Sequence, residues 1–473
     1  MTIDTLPDNA LLEIFDYCLE GRYIDIWTQE RAWRTLIHVC ERWRSIVLAS
    51  PRRLDLRMIC TDRTRAKEMS GIWPTLPIEI VAGGWARHNP WRRRDANNVI
   101  AALKHNNRIC RISLLEVSSS LLEKIAAITA TTQPAPFPAL THLRLTKCDS
   151  PHNECETALP DEFLGGSTPR LRSCILRHIA FPGIWNLLST ADHLVELRLS
   201  NIPHSDYTSP QAMATHLSTM PNLKQLSIGF QSPRSRPELS IPQKPPPTRV
   251  VLPALTSFSF RGVSEYADDL TSHIHAPLLG EVNITLFNQL IFDTPRLHDF
   301  LSRYWHDKKP RARATVKFEC GSVTFEHKSM GLRLEVSCAK SDWQLSAMGQ
   351  LFDSPLPPFA DLEHLHLQVC EDPYEGPCWQ DDTDGSQWLE LVQPFFSVKN
   401  LYLSQEIARR VAALALQGLT GESVTATLPA LKHLLVERPD LQLPSEEEAI
   451  TKFVNARRLS GHPVAVRRWD GQF

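Results

Sequence analysis

At 473 residues the chain is long for one hydrophobic core, and its 42% apolar content is enough to fold as two or more units or as an extended array. A formal net charge of −2 excludes a general nucleic-acid-binding surface, which needs a basic excess. The 11 cysteines are odd in number and scattered, with no C-x-x-C pair, so neither a disulfide framework nor a zinc ribbon is indicated. The first residues carry acids where a signal peptide carries bases, and no apolar run reaches membrane-spanning length. Together these features predict an intracellular protein, cytoplasmic or nuclear, with no membrane partner.

In chain order, Leu6-Pro7-Asp8 predicts a helix start, because proline fixes φ and lacks an N–H that the first turn cannot use. Leu11, Leu12, Ile14, Phe15 and Leu19 follow as one apolar stripe. A second amphipathic helix is predicted over Leu36–Pro51, where Leu36, Val39, Cys40, Trp43, Ile46 and Val47 recur at three- and four-residue steps. Two such helices cannot enclose a core, so their stripes require a covering surface.

Residues 52–61 alternate Leu54, Leu56 and Met58 with charged residues, the period of a half-buried strand. From there a phrase recurs: Ile109-x-x-Ile112-x-Leu114, Leu140-x-x-Leu143-x-Leu145, Leu171-x-x-Cys174-x-Leu176, Leu194-x-x-Leu197-x-Leu199 and Leu223-x-x-Leu226-x-Ile228. It returns at Leu255-x-x-Phe258-x-Phe260, at Leu279, Val282 and Ile284, and at Leu362-x-x-Leu365-x-Leu367, Val398-x-x-Leu401-x-Leu403 and Leu431-x-x-Leu434-x-Val436. The spacing is irregular, 23 residues from Leu171 to Leu194 and 36 from Leu362 to Val398. Helical segments are predicted between copies, at 211–220, 341–352, 386–396 and 406–416. Strand, turn and helix in repetition give a solenoid, since each unit has an apolar face that only a neighbour can bury.

Residues 314–338 depart from this pattern and read as three successive alternating strands. The proline-rich segment 231–249 reads as a solvated insertion. Cys148 and Cys370, each three residues after the last leucine of its copy, stand where a repeat closes its turn and are read as structural. Ser445-Glu-Glu-Glu opens a helix with acids at its positive pole, and Pro463 to Trp469 gives a closing strand.

The entry points of enzyme chemistry are absent: no Gly-rich phosphate loop, no G-x-S-x-G, no H-E-x-x-H. No cofactor is expected and no catalytic residue is assigned. Cys148, His152 and Cys155 are too loosely spaced for a metal site and lack a fourth ligand. The residues interleaved with the inward leucines are the candidate partner contacts: His142, Arg144, Glu196, Arg198, Gln225, Ser257, Arg261, His364, His366, Gln368, Asn400 and Tyr402. Residues two apart on a strand share a face, so His364 and His366 are both expected to point to solvent.

The N-terminal residues resemble an F-box: Leu6-Pro7, Leu12-x-Ile14-Phe15, Val39-Cys40, Trp43-Arg44 and Pro51 stand where that family has its signature. The stretch 20–33 lengthens the link between its two halves. Gln387-Trp-Leu-Glu-Leu391, Phe396 to Ser404 and Arg458 to Val466 extend the resemblance to F-box proteins of mushroom-type (basidiomycete) fungi with a C-terminal leucine-rich-repeat-like domain. The resemblance implies an α/β chain with a helical F-box over 1–55 and an irregular leucine-rich-repeat-like solenoid with a parallel sheet over 56–473. It further implies a non-catalytic, substrate-recruiting subunit of an SCF-type cullin-RING ubiquitin ligase. Leu6, Pro7, Leu11, Leu12, Ile14, Phe15, Leu36, Val39, Cys40 and Trp43 would bind the Skp-type linker, and the strand face would bind a protein substrate. The alternative is a repeat scaffold acting outside any ligase.

Overall fold

The computed structural model describes residues 3–19, 33–61, 71–73, 75–82, 93–131, 137–147, 158–237, 248–289, 291–305, 313–338, 340–353, 362–370, 385–408, 422–437 and 444–469. The chain is mixed α/β and divides into two compact units, Met1–Asp206 and Tyr207–Phe473. The boundary expected near residue 55 falls inside the first unit.

The first unit opens with helix Asp8–Leu19, which begins directly after Pro7 and buries Leu11, Leu12, Phe15 and Leu19. The single helix expected over 36–51 is instead two pieces: residues 33–37 are helical, a turn intervenes, and a second helix runs over Glu41–Ala49. Cys40 makes the break by taking extended backbone, and its Sγ accepts from the N–H of Trp43 at 3.4 Å. The guanidinium of Arg42 ties the two helices together, donating to Asp8 Oδ1 and to the carbonyl of Leu6, both at 2.6 Å.

Among the described residues six parallel strands follow in this unit: β1 (Met58–Cys60), β2 (Ile78–Ala82), β3 (Ile109–Val117), β4 (His142–Lys147), β5 (Ser173–Arg177) and β6 (Glu196–Ile202). The strand expected over 52–61 shrinks to three residues. The N–H groups of Leu54 and Leu56 are used by the carbonyls of Ser50 and Pro51 in a turn, and Asp55 sits at φ 45°. Ile112, Leu143, Cys174 and Leu197 align across β3 to β6, with Leu114, Leu145, Leu176 and Leu199 aligned one layer on. All eight are buried. Helices Arg93–Leu103, Ser119–Thr131 and Ile184–Leu188 stand between the strands in sequence.

The second unit contains β7 (Gln225–Phe230), β8 (Val250–Val251), β9 (Ser257–Gly262), β10 (Ile274–His275), β11 (Glu281–Phe287), β12 (Arg313–Phe318), β13 (Ser322–His327), β14 (Leu332–Ser337), β15 (His364–Val369), β16 (Asn400–Leu403), β17 (His433–Glu437) and β18 (Ala465–Trp469). Its main sheet runs β7-β9-β11-β14-β13-β12-β15-β16-β17-β18, while β8 and β10 pair separately. Among the described strands only β13 is reversed, antiparallel to both β12 and β14. Two antiparallel steps restore the strand direction, so β15 pairs parallel with β12 and the repeats continue beyond the meander. The three alternating strands read at 314–338 are this meander.

One backbone device recurs at the head of several repeats. The carbonyl before a strand accepts from two consecutive N–H groups of the next copy: Thr141 from Arg172 and Ser173, Arg172 from Val195 and Glu196, Thr256 from Gly280 and Glu281, Glu363 from Lys399 and Asn400, and Lys399 from Lys432 and His433. Pairing each buried carbonyl and N–H this way lets the turns stack without orphaned polar groups. Helices Pro210–Leu217, Ser264–His273, Pro295–Trp305, Ser341–Asp353, Gly385–Val392 and Pro444–Leu459 supply apolar faces that strands alone cannot cover.

Candidate functional site

Two surfaces were expected to carry contacts, and the structure sorts their residues. Of the N-terminal set, Leu11 and Phe15 are fully buried and Leu12 nearly so. Phe15 is covered by Trp43, with ring centroids 4.7 Å apart. Trp43, Leu6 and Leu36 are half-buried, Pro7 and Cys40 exposed, and Ile14 and Val39 are the large apolar side chains left in solvent, 39% and 56% exposed. The requirement for a covering surface is therefore met in part by the two helices' own contact, and Ile14 and Val39 remain outside it.

On the strands, the alternation places every one of the twelve strand-face candidates opposite the buried leucines. In the first unit one outward row reads Glu79, Arg111, His142, Ser173, Glu196 and the next reads Val81, Ser113, Arg144, Ile175, Arg198. The lower row is internally neutralised. Glu79, only 3% exposed, lies 3.4 Å from Arg57 and 3.3 Å from Arg111, and Glu196 accepts from Ser173 at 2.7 Å while pairing with Arg198 at 2.6 Å. Burial lowers the pKa of the half-buried His142, and the Arg111 guanidinium opposite adds to the effect. Arg144 and Arg198 are exposed.

In the second unit Gln225 and Arg261 are exposed, and Ser257, His364, Gln368, Asn400 and Tyr402 half-buried. Ser257 donates to Glu281 at 3.1 Å on the adjacent strand. His366 overturns the expectation of a solvent-facing imidazole: it is 1% exposed. It stacks on Tyr402, with centroids 4.0 Å apart, and meets Trp469 edge-on at 5.9 Å. Burial, then the nearby Arg313 charge, push its pKa down to about 3. His364 stays half-buried, its Nδ1 3.3 Å from the Tyr402 hydroxyl.

Sequence reasoning missed Glu79, Arg177, Ile175 and Trp469. Each is legible as an outward position by the same period-2 alternation, in segments where the leucine phrase is weak or one step beyond the first outward pair. Among the described residues no three His, Cys, Asp or Glu side chains gather to hold a metal. Cys148, His152 and Cys155 lie outside the described residues, as does most of 231–249. Cys174 is fully buried between repeats, and burial pushes its thiol up to about 12, so it is a core side chain.

No family model matches this chain, and no curated protein matches it. Among solved structures, the leucine-rich repeat-containing protein LegL7 from Legionella pneumophila is similar at 12% identity, over 72% of this chain and 95% of that chain, with a TM-score of 0.27. Among the described residues no helix is long and apolar enough to cross a membrane.

Proposed function

We propose that the chain is a non-catalytic, substrate-recruiting subunit of an SCF-type cullin-RING ubiquitin ligase, acting in the cytoplasm or nucleus. In this reading the N-terminal helices dock on a Skp-type linker, and the outward strand face binds a protein substrate. One observation carries it: Ile14 and Val39, large apolar side chains on F-box-like segments, stay exposed although the helices around them are packed and tied by Arg42 to Asp8. Exposed apolar side chains on the same two segments as the half-buried Trp43 fit the desolvated centre of a protein interface.

The test is linker capture by the full chain. Ile14→Asp with Val39→Asp places charges in that surface without removing a buried side chain. The double variant is expected to lose the linker while melting as the parent does, and undiminished capture would sink the docking assignment. The burial of Leu11, Leu12 and Phe15 within the first unit favours a second reading, in which the helices cap the repeats and the chain is a scaffold outside any ligase. A cullin recovered with the intact chain decides for the first.

A further inference from the structure

Above the neutralised row of the first unit, the outward face carries more positive charge than its own carboxylates balance. Arg144 pairs across the ladder with Ile175, and Ile175 with Arg198. Arg177 lies two residues beyond Ile175 on β5, on the same face, beside Thr146 of β4 and Ser200 of β6. Neighbouring strands are about 4.8 Å apart and same-face residues about 6.6 Å apart along a strand. Three guanidinium stems thus rise around one half-buried isoleucine. Arg198 is engaged by Glu196 at 2.6 Å, whereas Arg144 and Arg177 are exposed and form no ion pair among the described residues.

We propose that this face, Arg144, Arg177 and Arg198 around Ile175, binds an extended acidic peptide segment of a partner protein, with carboxylates on the arginines and an apolar side chain on Ile175. The inference rests on reading the outward strand face as the contact surface, and it adds the chemistry of the occupant. The occupant must engage side chains only, because β4, β5 and β6 are paired within the sheet and offer no free edge. Arginine forks match carboxylates bidentately, and with Arg144 and Arg177 both exposed near Ile175 a segment bearing several carboxylates makes more such contacts than a single charge does. A nucleic-acid strand fits less well: among the described residues the neighbours of these arginines on the face are Ser113, Thr146, Ile175 and Ser200, with no Phe, Tyr or Trp on which bases stack.

The experiment uses the full chain and a fluorescent peptide alternating glutamate and leucine, read by anisotropy beside its glutamine counterpart. The glutamate peptide is expected to bind and to weaken with salt, and the glutamine peptide to bind weakly or not at all. Arg144→Glu with Arg177→Glu is expected to cost about tenfold or more, since like charges then face each other, while Arg458→Glu, on the exposed side of helix Pro444–Leu459, leaves binding unchanged. Equal binding of the two peptides, or a double variant that binds as the parent does, overturns the proposal. A labelled single-stranded oligonucleotide that binds more tightly than the peptide, and is released by the same double variant, also overturns it in favour of a nucleic acid. None of these results touches linker capture through Ile14 and Val39, so the two readings fail separately.

Discussion

His366 lies face to face with Tyr402, the rings 10° from parallel and their centroids 4.0 Å apart. The pairing joins β15 to β16 on the outward side of the sheet, where β-branched or polar residues would otherwise stand, and Trp469 of β18 closes over both rings. The imidazole is neutral there because burial disfavours its charged form.

This gives an acid sensitivity with a definite sign. The pKa of His366 falls from 6.5 to about 3 on folding, so the unfolded chain takes up the proton first and stability is lost as pH drops below about 6.5. The contribution is about 2 kcal/mol at about pH 5, at 1.36 kcal/mol per pH unit. His298, lowered to about 4 by burial, acts in the same direction. Urea midpoints measured from neutral to acid pH should fall less steeply for His366→Phe, which keeps the stack and removes the titration. Parallel curves would refute the assignment.

Asp268 works with the opposite sign. Its Oδ1 accepts from the N–H groups of Arg296 and Leu297, at 2.7 and 2.9 Å, and so caps helix Pro295–Trp305 from the preceding helix. Burial raises its pKa to about 6 against the pull of those two bonds. The folded state therefore holds the proton more tightly, and its contribution, full below about 3.8, is lost as pH rises through about 6. Asp268→Asn keeps an acceptor without the buried charge, whereas Asp268→Ala leaves the first turn uncapped at about 1 to 2 kcal/mol. Denaturation at neutral pH should rank Asn above Ala, and equal stabilities would remove the cap from the account.

The leucine phrase was readable because each copy repeats one local demand, two apolar residues on one side of a short strand, and the register from Ile112 to Leu197 follows it residue by residue. What lay over the opposite side was not readable. Alternation places His366 outward, but Tyr402 and Trp469, which bury it, arrive from strands much later in the chain. The break at Cys40 was missed for a local reason: the apolar stripe continues through it, and cysteine is not among the usual cap residues. At the N-terminus the stripe was legible, whereas its division into buried Phe15 and exposed Val39 depends on Trp43 folding back.

The meander depends on Gly331. It takes φ 67°, and a Cβ there would stand 2.3 Å from the carbonyl oxygen of Gly280. The N–H of Gly331 closes the turn onto Lys328, and its own carbonyl accepts from Val282 as β14 meets β11. Gly331→Ala combines strain with a backbone clash and should cost about 1 to 3 kcal/mol or more. A melting temperature unchanged from the parent would show that the turn relaxes freely.

Arg457 has no exposed surface, yet it is charged. Its guanidinium reaches from helix Pro444–Leu459 to the carbonyls of Val424 at 2.9 Å, Leu431 at 3.3 Å and Leu428 at 3.4 Å. Val424 lies in helix Glu422–Ala426 and Leu428 and Leu431 in the turn before β17, so one side chain holds the final helix against both. Arg457→Met would take the guanidinium from all three oxygens, leaving the Leu428 carbonyl only the N–H of Leu431, and Arg457→Lys cannot span them with a single ammonium. Leaving a buried polar group without its donor typically costs about 1 to 3 kcal/mol. In a repeat array each unit leans only on its neighbours, so the loss should be local. Hydrogen exchange of Arg457→Met should show lost protection in β17 and β18 with β7, β9 and β11 retained; uniform loss across the second unit would instead mean that its repeats unfold as one.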